Sequence, residues 1–204
     1  MSISVSYVKT GRRKQKERTR AVLVDAAREL LARGLTPTVE EAAEAASISR
    51  ATAYRYFPSR RELLVAAHPE VETTSLLGPE PSDDPSARLD AVVIGLSEII
   101  LGAEASYRSM LRMSLDPDPA TRGDLSLRQG RRFLWIEDAL EPVRGMLTPG
   151  QFERLVNAIA ASIGIEALVA LMDLGGLTPA ETVEVMRWSA QALFQRALRE
   201  ADVR

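Results

Sequence analysis

Residues 49–64 read SRATAYRYFPSRRELL, and the punctuation of this stretch decides how the first third of the chain folds. Ser49 is a favourable N-cap for a helix over Arg50–Phe57, and Pro58-Ser59 stops that helix. Ser59 with Glu62 three residues later forms a capping box, which opens another helix from Arg60 to about Ala67. Upstream, Thr38 with Glu41 repeats the signature and opens a helix over Val39–Ala46, behind the break Thr36-Pro37-Thr38. Earlier still, Val22, Leu23, Ala26, Ala27, Leu30 and Leu31 share one face of a helix running from Lys16 to Arg33, with Gly34 as its C-terminal cap.

The order is a long helix of about 18 residues, then two of about 8 joined by a turn of about three, which is the helix-turn-helix pattern. In that motif the second short helix enters the DNA major groove and the first braces it across the backbone. The side chains suit the task. Ala53 and Phe57, with Ile48 before them, face inward, while Arg50, Ala51, Thr52, Tyr54 and Arg55 face outward. Arg can bond guanine through two hydrogen bonds, and Ala or Thr methyls can meet the thymine methyl. Thr38, Tyr56 and the Ser59-Arg60 pair at a helix start are placed for phosphates, and Ser49 joins the same candidate set. A plainer role is open for each: Tyr54 and Tyr56 as core aromatics beside Phe57, and Arg50 and Arg55 as solvated surface charges.

Charge is divided unevenly. Residues 1–68 hold 13 Lys and Arg against 7 Asp and Glu, a net of +6, and the rest holds 13 against 21, a net of −8. A basic head on an acidic body fits a head that meets a polyanion. The chain has no Cys and one His, His68, so disulfides, thiolate zinc sites, Ser-His catalysis and multi-His metal sites lack their raw material. No metal or cofactor is expected. The acidic pairs Asp83-Asp84 and Glu137-Asp138 are sequence neighbours, and on a helix neighbours point about 100° apart, so an enzyme is a remote alternative.

Strand patterns are absent from the remaining sequence, which reads as all-α with about nine helices in total. The expected organisation is a basic arm over 1–15, a helix-turn-helix domain over 16–68, a linker or loop over 69–86 (GPEPSDDPS at its heart) and a larger helical bundle over 87–204. Helices are expected from about Ala87 to Ala103, from Glu104 to Leu115, over 124–147, from Pro149 to Asp173, and from Pro179 to about Arg199. Whether the arm tracks a groove is left open. The longest apolar stretch, Leu155 to Leu177, carries Asn157, Ser162, Glu166 and Asp173 and reads as a buried soluble helix, not a membrane span. The first residues place their positive charges after the mildly apolar part, unlike a signal peptide, so a cytoplasmic location is expected.

A single reading head covers little DNA, and helix-turn-helix proteins pair on inverted repeats. The last two helices are the expected homodimer surface, with Ile159, Ser162 and Ile163 on one and Val185, Trp188 and Ala192 on the other. One thick monomer core is the alternative. A pocket for a small-molecule effector is expected among Tyr107, Met110, Met113, Phe133 and Trp135, with Arg128 and Arg131 available to an anionic group. These residues serve equally as core and surface.

Taken together, TRAVLVDAARELLARG and TVEEAAEAASISRATAYRYFPSRRELL, within residues 19–64, resemble the DNA-binding domain of the TetR family of bacterial repressors. The resemblance implies a variable helical domain behind the head, which binds a ligand and dimerises. It implies a dimeric repressor that a small-molecule effector releases from a palindromic operator, with an activator or a ligand-free architectural binder as the alternative. Two departures stand out. Ser47 occupies a turn position where the family usually has Gly, at a cost of roughly 1 kcal/mol if the turn is left-handed. Ala42 and Ala53 stand where the family favours larger aliphatic residues, which implies closer packing or a looser domain.

Overall fold

Caps, prolines and glycines set the helix boundaries of this chain. The structure, a computed structural model, describes residues 4–67, 73–115 and 130–202, and among these residues every regular element is helical. Helix α1 spans Ser4–Ala32, α2 Val39–Ala45, α3 Arg50–Tyr56, α4 Arg60–Ala67, α5 Pro85–Gly102 and α6 Glu104–Ser114. Then follow α7 Arg131–Leu140, α8 Pro149–Ser162, α9 Ile165–Val169 and α10 Pro179–Asp202. The first helix begins at Ser4, inside the stretch expected to be an arm. It ends in a Schellman motif: Gly34 takes φ 75°, its N–H donates to Leu31 O, and Leu35 N–H donates to Leu30 O at 3.0 Å.

Two compact units emerge. The first contains α1 to α4 with the part of α6 from Arg108 onward, and the second contains α5, the start of α6, and α7 to α10. The loop ahead of α5, expected as a linker, belongs to the second unit from residue 73: Thr73 O accepts from Trp135 Nε1 at 3.2 Å, and the Ser75 hydroxyl donates to the Asp138 carboxylate. Asp84 caps α5 by accepting from Ser86 N–H at 3.0 Å, and the helix begins at Pro85, two residues before the expected start at Ala87.

The core of the first unit joins Leu23, Val24, Ala27 and Leu31 of α1 to Val39, Ala42 and Ala43 of α2, Phe57 and Ala53 beside α3, and Leu63, Leu64 and Ala67 of α4. Ala42 and Ala53 are completely buried, so the small residues give close packing of α2 and α3. Arg28 crosses from α1 and donates to Ala67 O at 2.9 Å, satisfying a carbonyl that the end of α4 leaves open. Within this unit Ser109 of α6 donates to Gly34 O at 3.1 Å.

In the second unit, α5 packs against α7 and α10, and α8 packs against α7 and α10. Leu89, Val92 and Val93 of α5, Ile136 and Leu140 of α7, Ile159 of α8 and Met186, Ala190 and Phe194 of α10 are all buried. Arg187 bonds Asp90 through two hydrogen bonds of 2.7 and 2.8 Å, which ties α10 to α5 and raises the Arg187 pKa.

Two expected helices are broken. The helix expected over 124–147 is α-helical only over Arg131–Leu140 in its described part, residues 124–129 lying outside the described residues. Pro142 has no N–H for the ladder, and Glu141–Met146 tightens into a 3₁₀ turn. Val143 and Leu147 are buried all the same. The helix expected from Pro149 to Asp173 breaks at Ile163-Gly164. Gly164 has φ 108° and ψ −175°, a glycine-only conformation, and a Cβ there would collide with the Arg132 guanidinium. Arg132 enters the gap, donating to Ile163 O at 2.8 Å and pairing with Glu166 at 3.0 Å. After α9 the chain loosens into a π turn over Ala170–Leu174. Among the described residues no single helix is long and apolar enough to cross a membrane; Pro149–Ser162 and Ile165–Leu174 reach that measure only as a pair across a 40° bend.

Candidate nucleic-acid interface

Every start in the α2–α3–α4 run is capped as its sequence requires. Thr38 accepts from Glu41 N–H at 3.2 Å and Glu41 accepts from Thr38 N–H at 2.7 Å. These bonds, the backbone N–H foremost, hold the Glu41 carboxyl below its ordinary pKa. Ser49 accepts from Thr52 N–H at 3.3 Å and donates to the Thr52 hydroxyl, while Ser59 accepts from Glu62 N–H at 3.2 Å.

The turn between α2 and α3 is a second Schellman motif. Ile48 N–H donates to Ala43 O at 2.8 Å and Ser47 N–H to Glu44 O at 3.0 Å. Ser47 has φ 54°, and among the described residues no other non-glycine residue has a positive φ. The left-handed turn is therefore built with a Cβ present, as the comparison of Ser with the family's Gly anticipated.

Residues Arg50, Ala51, Tyr54 and Arg55 are exposed on α3, and Thr52 is half-buried. Tyr54 and Arg50 lie one turn apart on the same face. The Tyr54 hydroxyl donates to Glu40 Oε1 of α2 at 2.5 Å. This bond is the leading cause of two opposite shifts: the Glu40 carboxyl lies below its ordinary value and the Tyr54 phenol above its own. Glu40 was not among the residues singled out from sequence. An acidic residue in the first turn of α2 reads as helix-dipole compensation, and only the helix crossing reveals its partner.

Other expected members stand elsewhere. Tyr56 is half-buried against the core, with the Arg55 guanidinium 5.6 Å from its ring centre. Arg60 donates to Pro37 O at 3.2 Å and to Thr36 O, so its guanidinium clamps the loop before α2, where a phosphate role had been expected. The hydroxyls of Thr38, Ser49 and Ser59 serve as caps. Arg20 of α1 sits 5.3 Å from the centre of the Phe57 ring.

In the second unit the expected dimer residues separate into two groups. Ile159 and Ile163 are buried in the unit's own core, Ile163 as the extended residue that ends α8. Trp188 is 73% exposed, Ala192 is exposed, and Val185 and Ser162 are half-buried. Helix α10 thus carries Thr182, Met186, Ala190, Phe194 and Ala197 on its buried side and Trp188 and Ala192 outside it.

The expected pocket residues are divided between the two units. Met110 belongs to the first unit and is buried, and Trp135 is buried in the second, with its N–H on Thr73 O. Tyr107 and Arg131 are half-buried. Arg128 lies outside the described residues, as does the Met113 side chain. The second unit holds a different cavity of about 480 Å³, lined by Phe133, Glu137, Arg144, Leu147, Pro149, Phe152, Glu153, Val156 and Asn157, and of the expected set it includes only Phe133. Arg144 lies 4.2 Å from the centre of the Phe152 ring and pairs with Glu141 at 2.9 Å and Glu137 at 3.1 Å. The acidic pair Glu137-Asp138 is engaged in bonds to Arg144, Arg88 and Ser75, and among the described residues no group of three or more His, Cys, Asp or Glu could hold a metal.

Residues 23–67 match the sequence pattern of the bacterial regulatory proteins of the tetR family. The chain is also similar to the HTH-type transcriptional repressor LfrR of Mycolicibacterium smegmatis, with 37% identity over 78 residues, which are 38% of this chain and 41% of that protein. The matched region of the family is the capped run α2–α3–α4 with the end of α1. Residues 23–67 thus carry the pattern of the tetR-family DNA-binding region, and the chain spans less than half the length of the repressor it matches.

Proposed function

We propose that the protein is a transcriptional regulator that binds an inverted-repeat operator in double-stranded DNA as a homodimer. Helix α3 enters the major groove, where Arg50, Ala51, Thr52, Tyr54 and Arg55 meet bases and phosphates. The observation that carries this reading is the exposed Arg50–Tyr54–Arg55 face on a helix whose cap and turn are those of a helix-turn-helix. The net +6 of residues 1–68 supports it, since phosphate neutralisation supplies much of the affinity for DNA.

Pairing is through the outer side of α10, where exposed Trp188 and Ala192 offer an apolar surface. Repression relieved by a small-molecule effector is the regulatory mode, in keeping with LfrR, which is named a repressor. The cavity beside Phe133, Phe152 and Arg144 supports this part of the reading. An effector acts by favouring a conformation whose heads no longer match successive grooves about 34 Å apart.

Selection from a random duplex library tests the proposal. An enriched inverted repeat, lost with Arg50→Ala and Tyr54→Ala proteins of unchanged unfolding temperature, is the expected result. Binding without enrichment that vanishes at moderate salt would reduce the head to a non-specific cation and defeat the reading.

A further inference from the structure

Helix α3 shows DNA a sequence of hydrogen-bonding groups, and one of them is inverted. Arg50 and Arg55 are donors only. A tyrosine hydroxyl has one proton and two lone pairs, and the proton of Tyr54 already points at Glu40 Oε1, 2.5 Å away. What Tyr54 then turns outward is an acceptor, and beside it stands a carboxylate that also only accepts. A phosphate, itself an anion and an acceptor, is the wrong partner for this pair. The matching partner is a hydrogen-bond donor. On the major-groove edges of the four base pairs the donors are the exocyclic amino groups, N4 of cytosine and N6 of adenine.

We propose that Glu40 and Tyr54 act as one acceptor unit that reads an exocyclic amino group in the major groove, which makes Glu40 a specificity-determining residue supplied by the bracing helix and not by the helix in the groove. The inference rests on the operator-binding reading above. It assigns Glu40 two tasks. It holds the Tyr54 hydroxyl against α2, and its charge penalises any register that brings a phosphate to that point. Thr52 lies on the same helix but belongs to a separate pair, its oxygen accepting from Ser49 at 2.9 Å.

The test uses the intact protein and the duplex it selects. Each base pair of one half-site is replaced in turn by the other three, and affinities are measured for wild type, Glu40→Ala and Tyr54→Phe. Wild type is expected to require cytosine or adenine at one position, losing about tenfold on replacement. Both variants are expected to flatten the preference at that position and to leave the others unchanged, and Glu40→Ala is expected to bind unrelated DNA more tightly. Tyr54→Phe keeps the ring and removes only the hydroxyl, so a shared loss at one position cannot come from misfolding. Base preferences left intact in both variants, or weakened evenly at all positions, would overturn the inference while the regulator reading stands. If wild type selects no sequence, the regulator reading fails and the inference with it.

Discussion

The two units of this molecule resolve the same problem, where to end a helix, by different means. In the first unit the starts of α2, α3 and α4 are side-chain caps on short helices, and the left-handed turns at Gly34 and Ser47 are open to solvent or tolerate a Cβ. In the second unit the decisive breaks are internal: a proline that converts a helix to a 3₁₀ turn, and Gly164, whose missing Cβ makes room for Arg132. Local punctuation is enough in the first case. In the second the break exists because another helix reaches into it, so tertiary contacts decide it.

Substitutions can break or sharpen that contrast. Ile159 and Trp188 read from sequence as one dimer surface, yet the first is buried and the second exposed. Ile159→Ala is expected to lower unfolding free energy by about 2–5 kcal/mol in denaturant titration, and Trp188→Ala to change protomer stability by less than about 0.5 kcal/mol. Equal effects would return Ile159 to the surface.

Next comes a pair of glycines. Gly164→Ala must displace Arg132 and adopt a strained backbone, and is expected to cost about 3 kcal/mol. Gly34→Ala meets nothing within 4 Å and bears only the left-handed penalty, about 1 kcal/mol. Similar losses at both positions would remove the distinction between a tertiary and a local break.

Ser47→Gly is expected to stabilise the first unit by up to about 1 kcal/mol, read as a raised denaturation midpoint with unchanged slope. The smallest effect is on pH dependence. Glu41 in the first unit and Glu181 in the second are both held below the carboxylate reference of 4.5 by the threonine three residues before them. A depressed folded pKa contributes stability above the unfolded value and loses it as pH falls through the folded one. Stability from these caps is therefore expected to be flat from pH 7 to about 5 and to decline below about 4.5. Glu41→Gln should soften the acid limb, and an unchanged acid limb would show that the cap charge is immaterial.

These differences also explain what was legible beforehand. The all-helical class and the capped starts at Thr38, Ser49 and Ser59 follow from residues within a few positions of each other, and the structure contains them. The outward set on α3 followed from helical period. What escaped was information carried by crossings: Glu40 against Tyr54, Arg60 on the carbonyls of Thr36 and Pro37, and Arg132 in the gap at Gly164. Apolar period alone could not assign Ile159 and Ile163 to the core or Trp188 to the surface, because α8 and α10 both carry apolar residues on more than one side.

The most direct measurement is the mass of the complex on the selected duplex, with intact wild-type protein at several salt concentrations. Two chains per inverted repeat, one fewer when a half-site is scrambled, and affinity falling steeply with salt while preference over scrambled DNA persists, is the predicted result. A single chain bound equally well to operator and scrambled duplex would contradict the account of a paired, sequence-reading head.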